Sequence, residues 1–169
     1  MEYFMMQQDN RLKHLPFIRI PPGFSDGEQC KDEKALLTLY VENLGLKDQY
    51  SDYLLQPFPM IGERIQKVMG KYQRDMSFQR IILIDKKESL QHNYYRISVP
   101  EIDCVSAEEF DIGRKYKEIK IVLNQNQVEY AKIFRVKQLK GNLLVRLDVA
   151  ESILRREPEG IWFTPVKFL

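Results

Sequence analysis

Three residues could in principle do chemistry together: Cys104 as a thiol nucleophile, His92 as its base and Asp103 as the orienting carboxylate. These residue types recur within twelve positions by chance, so the preferred reading of Cys104 is a partly buried cysteine at a strand end. Gly70-Lys71 suggests a phosphate loop, but that motif needs glycine where Ile65 stands and serine or threonine where Tyr72 stands. The only histidines, His14 and His92, have no cysteine or carboxylate at zinc-like spacing. No cofactor, metal or nucleotide is therefore expected. Cys30 and Cys104 form no CxxC pair and are read as free thiols.

Charge patterning says more than any catalytic motif. Glu101, Asp103, Glu108, Glu109 and Asp111 are five acidic groups with no basic one among them, whereas Lys132, Arg135, Lys137, Lys140 and Arg146 are five basic groups with no acidic one. A loop carrying five carboxylates cannot bury them without partners, so the acidic set is expected to face solvent and to offer a partner-binding surface. The basic residues interleave with Tyr116, Tyr130 and Phe134, a composition compatible with a nucleic-acid face. An RRM signature is missing, and 26 basic against 24 acidic side chains leave a net charge of only +2, so no nucleic acid is expected. No run of 18 apolar residues occurs, and the first ten residues lack a basic stretch followed by an apolar one, so no membrane partner is expected and the chain is read as cytoplasmic.

With 44% apolar and 30% charged residues over 169 positions, the chain is read as a single domain. Residues 1–8 suit a buried first strand, and Phe17 to Ile20 a brief extension. Leu36, Leu39, Tyr40 and Leu44 recur at helical spacing behind a possible cap at Asp32, with Gly45 in the place of a C-terminal glycine. The clearest helix places Ile61, Ile65, Val68, Met69 and Tyr72 on one face. From Phe78 the period becomes two: residues 78–85 and 94–99 read as a hairpin, and residues 119–123 and 128–136 as a second one.

Residues 143–169 carry a short apolar run, a helix and a last strand. Asp148 and Glu151 have the spacing of a capping box, and Leu147, Ala150, Ile153 and Leu154 form the apolar stripe. Pro158 and Gly160 mark a reversal, and Ile161 to Val166 a strand that Pro165 confines to an edge or a strand end. Strands in succession with few crossover helices predict an α+β fold: a mainly antiparallel sheet of about five to seven strands with two or three helices packed on it.

Taken together, these pieces resemble a family of small bacterial immunity proteins of polymorphic toxin systems, formerly a domain of unknown function. The resemblance runs over about residues 59–166 and rests on Met60-Ile61-Gly62-Glu63-Arg64-Ile65, Tyr94-Tyr95-Arg96-Ile97, Ile102-Asp103-Cys104, Ile133-Phe134-Arg135 and the closing Gly160-Ile161-Trp162-Phe163-Thr164-Pro165-Val166. Gly62 stands where the family usually offers a serine cap. The resemblance implies a division of the chain into a variable N-terminal part with one helix, residues 1–58, and a core, residues 59–169. It also implies a non-enzymatic cytoplasmic protein that binds and neutralises a cognate toxin. Two alternatives are a small hydrolase or transferase, whose site would be assembled from distant residues, and a nucleic-acid or peptide-binding module.

Overall fold

The structure is a computed structural model, and it describes residues 1–22, 35–42, 44, 45, 47–104, 122–124, 128, 130–137 and 142–168. In chain order the strands are β1 (Tyr3–Gln8), β2 (Phe17–Arg19), β3 (Leu37–Glu42), β4 (Tyr53–Leu54), β5 (Met60–Gly62), β6 (Ser77–Asp85), β7 (Leu90–Ser98), β8 (Glu101–Ile102), β9 (Val122–Leu123), β10 (Ile133–Val136), β11 (Leu143–Arg146) and β12 (Ile161–Phe168). Helix α1 (Glu63–Tyr72) follows β5, and helix α2 (Leu147–Leu154) follows β11. The class is α+β as expected, but the described strands form two mixed sheets of six rather than one. One runs β8-β10-β11-β1-β12-β9 and the other β2-β3-β6-β7-β5-β4. Pairing is mainly antiparallel, with parallel contacts at β8/β10, β9/β12 and β3/β6.

β1 and β11 read as continuous apolar runs because both of their faces are covered. In β1 and β11 successive residues enter different cores: Met6, Leu143 and Val145 pack with the helices, while Tyr3, Met5 and Leu144 pack with Phe134, Val136 and Cys104. The helix-lined core joins the sheets. It takes Met6, Ile133 and Ile161 from the first, Tyr53, Ile61 and Ile97 from the second, Ile65, Val68 and Met69 from α1, and Val149, Ala150 and Ile153 from α2. A third cluster, with Ile18, Leu39, Val41, Ile81, Leu83 and Tyr94, belongs to the second sheet.

Several local expectations are corrected. Residues 37–42 form strand β3 rather than a helix, because Leu39 and Val41 alternate into the core and β3 pairs in parallel with β6. Asp32 lies outside the described residues. Ile61 belongs to β5, so α1 begins at Glu63, and Gly70 sits inside it. Gly62 has a positive reason to lack a side chain: a Cβ there would come within 2.8 Å of the Asp52 carboxylate. The capping box is absent. Asp148 lies in the first turn of α2, with Arg146 at the cap position, and its carboxylate accepts bonds from the Arg146 guanidinium at 2.8 and 2.6 Å. The buried stripe is Val149, Ala150 and Ile153, and Leu154 faces solvent. Finally, β9 pairs with β12, and among the described residues of 128–136 only Ile133–Val136 is strand.

The β6–β7 hairpin matches its expectation. Asp85 closes it locally, accepting bonds from the backbone N–H groups of Lys87 and Glu88 at 3.0 and 3.1 Å, as an Asx turn does. The final turn is held from outside. Asp52 donates its backbone N–H to the Glu159 carbonyl, and its carboxylate accepts from the Glu159 N–H and from Arg64, each bond 2.8 Å long.

Candidate interaction surface

Of the five acidic residues expected to meet a partner, Glu101 and Asp103 are described, and Glu108, Glu109 and Asp111 lie outside the described residues. Glu101 is exposed on β8, the border strand of the first sheet, opposite Arg135 of β10. Asp103 follows it and is also exposed, its carboxylate 3.9 Å from the ammonium of Lys137. Glu101 and Asp103 of the acidic run thus meet Arg135 and Lys137 of the basic run, about thirty positions on in the chain, at one sheet edge because β8 and β10 pair in parallel. Both members of this ion pair are well solvated, so it contributes little to stability.

A hollow of about 450 Å³ opens beside β8, lined by Gln73, Asp75, Pro100, Ile102, Val128, Tyr130 and Ala131. Its wall is hydrogen-bonded. The Gln73 side-chain oxygen accepts from the N–H groups of Lys132 and Ile133 at 2.9 and 3.2 Å, its amide nitrogen donates to Asp75 at 2.7 Å, and the Tyr3 hydroxyl donates to the Ala131 carbonyl at 2.6 Å. Tyr130 stands 84% exposed on the rim.

The described residues of the basic run do not form one free face. Lys132 lies over the Tyr72 ring at 5.6 Å, Lys137 faces Asp103, and Arg146 is engaged by Asp148. Arg135 is partly buried, with its guanidinium 3.5 Å from the Ile97 carbonyl. Hydrogen bonds from Arg146 hold the Asp148 carboxyl below its ordinary range. Lys140 lies outside the described residues.

Cys104, His92 and Asp103 do not come together as a reacting unit. Cys104 is buried and unbridged among Tyr3, Met5 and Phe134, and burial pushes its thiol up to about 11, so it stays protonated rather than nucleophilic. Cys30 lies outside the described residues. His92 belongs to the second sheet, stacked on Tyr50 with 3.8 Å between ring centroids, and Asp103 faces solvent. Among the described residues no three His, Cys, Asp or Glu side chains are grouped to hold a metal ion.

Sequence reasoning missed the buried polar group around Asp85. This fully buried carboxylate accepts from the Tyr50 hydroxyl at 2.8 Å, and Tyr50 covers His92, whose buried Nε2 has no hydrogen-bond partner. Desolvation lowers the His92 pKa, partly opposed by the Asp85 charge. The unfolded chain therefore binds a proton near pH 6.5 that the folded chain refuses, so this contribution is complete above that pH and is lost as pH falls towards the lower folded value. Urea midpoints should fall between about pH 7.5 and pH 5.5, and His92→Gln should reduce that fall. An equal fall in both proteins would exclude His92 as its source.

The fold and this surface define the class: a small α+β protein in which Glu101, Asp103, Arg135 and Lys137 meet at one sheet edge, with no catalytic triad among the described residues. Residues 46–168 match the family described as the immunity protein family Imm11, and the chain belongs to that family. The match begins at residue 46, so it takes in β4 and the segment before it as well as the core expected from residue 59. No curated protein matches the chain. Among the described residues no helix is long and apolar enough to cross a membrane.

Proposed function

We propose that this protein is a bacterial cytoplasmic immunity protein that acts as one domain, binds a cognate toxin domain and neutralises it by occupation, without turnover. Membership of the immunity family over residues 46–168 carries this reading. The arrangement at β8 supports it: exposed Glu101 and Asp103 border a hydrogen-bonded hollow rimmed by Tyr130, which suits a partner with a basic surface. Co-expression with the toxin domain encoded in the neighbouring reading frame tests the function, since growth should be restored only when the two proteins associate. A metabolic operon in place of a toxin gene would favour the enzyme reading.

The acidic set should control association more than stability. Reversing Glu108, Glu109 and Asp111 to lysine should slow association with the toxin roughly tenfold or more at low salt and flatten its salt dependence. The melting temperature should stay nearly unchanged. Stopped-flow association across a salt series measures this, and an unchanged rate removes the acidic set from the interface.

A further inference from the structure

Ile102 lines the hollow beside β8, and alternation along the strand turns its neighbour Glu101 to the other face. The charge inside the hollow therefore comes from elsewhere. Among the described residues, Asp75 is the only charged one that lines it. Arg74 is next in the chain but does not line the hollow, the Lys132 ammonium lies over the Tyr72 ring, and the Lys137 ammonium faces Asp103.

Gln73 fixes where that charge stands. A backbone N–H can be received only by the oxygen of an amide, and the Gln73 oxygen receives two, from Lys132 and Ile133. Its nitrogen is therefore the end turned to Asp75, donating to one carboxylate oxygen at 2.7 Å. The second oxygen has no bond or ion pair to a described residue, and Asp75 is exposed, so a visitor can reach it. Tyr130, 84% exposed, offers its ring to the same hollow, and the remaining lining residues, Pro100, Ile102, Val128 and Ala131, are apolar.

These groups select one kind of occupant. An anion would meet the Asp75 charge, and an apolar side chain would desolvate that carboxylate without pairing it. A calcium ion takes six or more oxygen ligands, and the described lining has one carboxylate. An arginine side chain answers every group: its planar guanidinium can lie on the Tyr130 ring while its N–H groups reach Asp75, and its methylene stem covers the apolar wall. The volume of about 450 Å³ admits a side chain of that length.

We propose that this hollow is a socket for one arginine of the toxin, paired with Asp75 and stacked on Tyr130. The choice of occupant rests on the immunity reading. Glu101 and Asp103 then act on encounter from outside the socket, and Asp75 acts on residence from within it.

The test is titration of the toxin domain encoded in the neighbouring reading frame with the full-length protein and its Asp75→Asn, Tyr130→Leu and Tyr130→Phe variants. Asp75→Asn keeps an oxygen for Gln73 and removes the charge, whereas Tyr130→Phe keeps the ring that Tyr130→Leu removes. Both positions are exposed, so the variants should fold normally, and circular dichroism and melting curves verify that. Asp75→Asn should weaken binding roughly tenfold or more, chiefly by faster dissociation, and Tyr130→Leu roughly fivefold or more, while Tyr130→Phe stays within about twofold of the parent. Double-mutant cycles of Asp75→Asn against alanine at each toxin arginine should find one arginine whose removal costs little once Asp75 is neutral. If the parent binds and protects while Asp75→Asn and Tyr130→Leu both bind within twofold of it, or no arginine couples to Asp75, the socket is overturned and the immunity reading stands. A loss at Tyr130→Phe equal to that at Tyr130→Leu would replace stacking with a contact to the hydroxyl and overturn the proposal. If the parent neither binds nor protects, both readings fall. Self-association of the free protein that Tyr130→Leu abolishes would assign the hollow to a second copy and also overturn it.

Discussion

Gly160→Ala should be among the most damaging single substitutions in this protein, costing about 2 to 5 kcal/mol. Two effects add. Gly160 has φ +70°, in the left-handed region that disfavours a side chain, and a Cβ there would collide with the Ser51 hydroxyl, come within 2.6 Å of the Leu12 methyl and within 2.8 Å of the Ser51 Cβ. Ser51 has nowhere to go. It is almost fully buried, and its hydroxyl sits among the carbonyls of Tyr53, Glu159 and Gly160 while accepting the Tyr53 N–H at 3.1 Å. Gly45→Ala is the control, since Gly45 has φ +93° but nothing within 4 Å of the Cβ position. That substitution should show the conformational cost alone, about 1 to 2 kcal/mol. Thermal unfolding of the two variants separates the effects, and equal melting temperatures would show that the contact with Ser51 is unimportant.

Ile153→Ala should cost about 2 to 5 kcal/mol, because it empties a fully buried site where α2 meets α1 and both sheets. Phe163 packs against the same core from β12 but is only partly buried, so Phe163→Ala should cost less. Leu154 is adjacent in the chain yet 52% exposed, and Leu154→Ala should stay within about 0.5 kcal/mol of the parent. Urea unfolding of the three variants gives the order directly. A large loss at Leu154 with none at Ile153 would mean that α2 presents a different face to the core.

The contrast between Ile153 and Leu154 shows how far periodicity reaches. A helical repeat marks an apolar stripe but not its edges, and a residue at the border is buried only if some other element extends over it. Leu154 is left open, while Val149, which the stripe omitted, is fully covered. The stripe of α1 was legible in the chain because Ile65, Val68 and Met69 lie at its centre.

Features made by neighbours in the chain were determined by the sequence alone. The β6–β7 hairpin needs only two alternating runs and a turn, and Asp85 supplies the side chain that closes it. The first strand, the reversal at Gly160 and the α+β class were legible for the same reason, as were the short motifs of the immunity family. Tertiary structure decided what depends on distant partners. Leu36, Leu39, Tyr40 and Leu44 fit a helical repeat, and Leu37, Leu39 and Val41 fit a strand equally well; parallel pairing with β6 resolves the choice. Pairing also carries β9 to β12 and sets Glu101 against Arg135, and the folded chain brings Gln73, Asp75, Ile102 and Tyr130 around one hollow. Local spacing records which side of a segment is apolar, whereas the element that covers that side arrives from elsewhere in the chain, and only the folded protein shows which one it is.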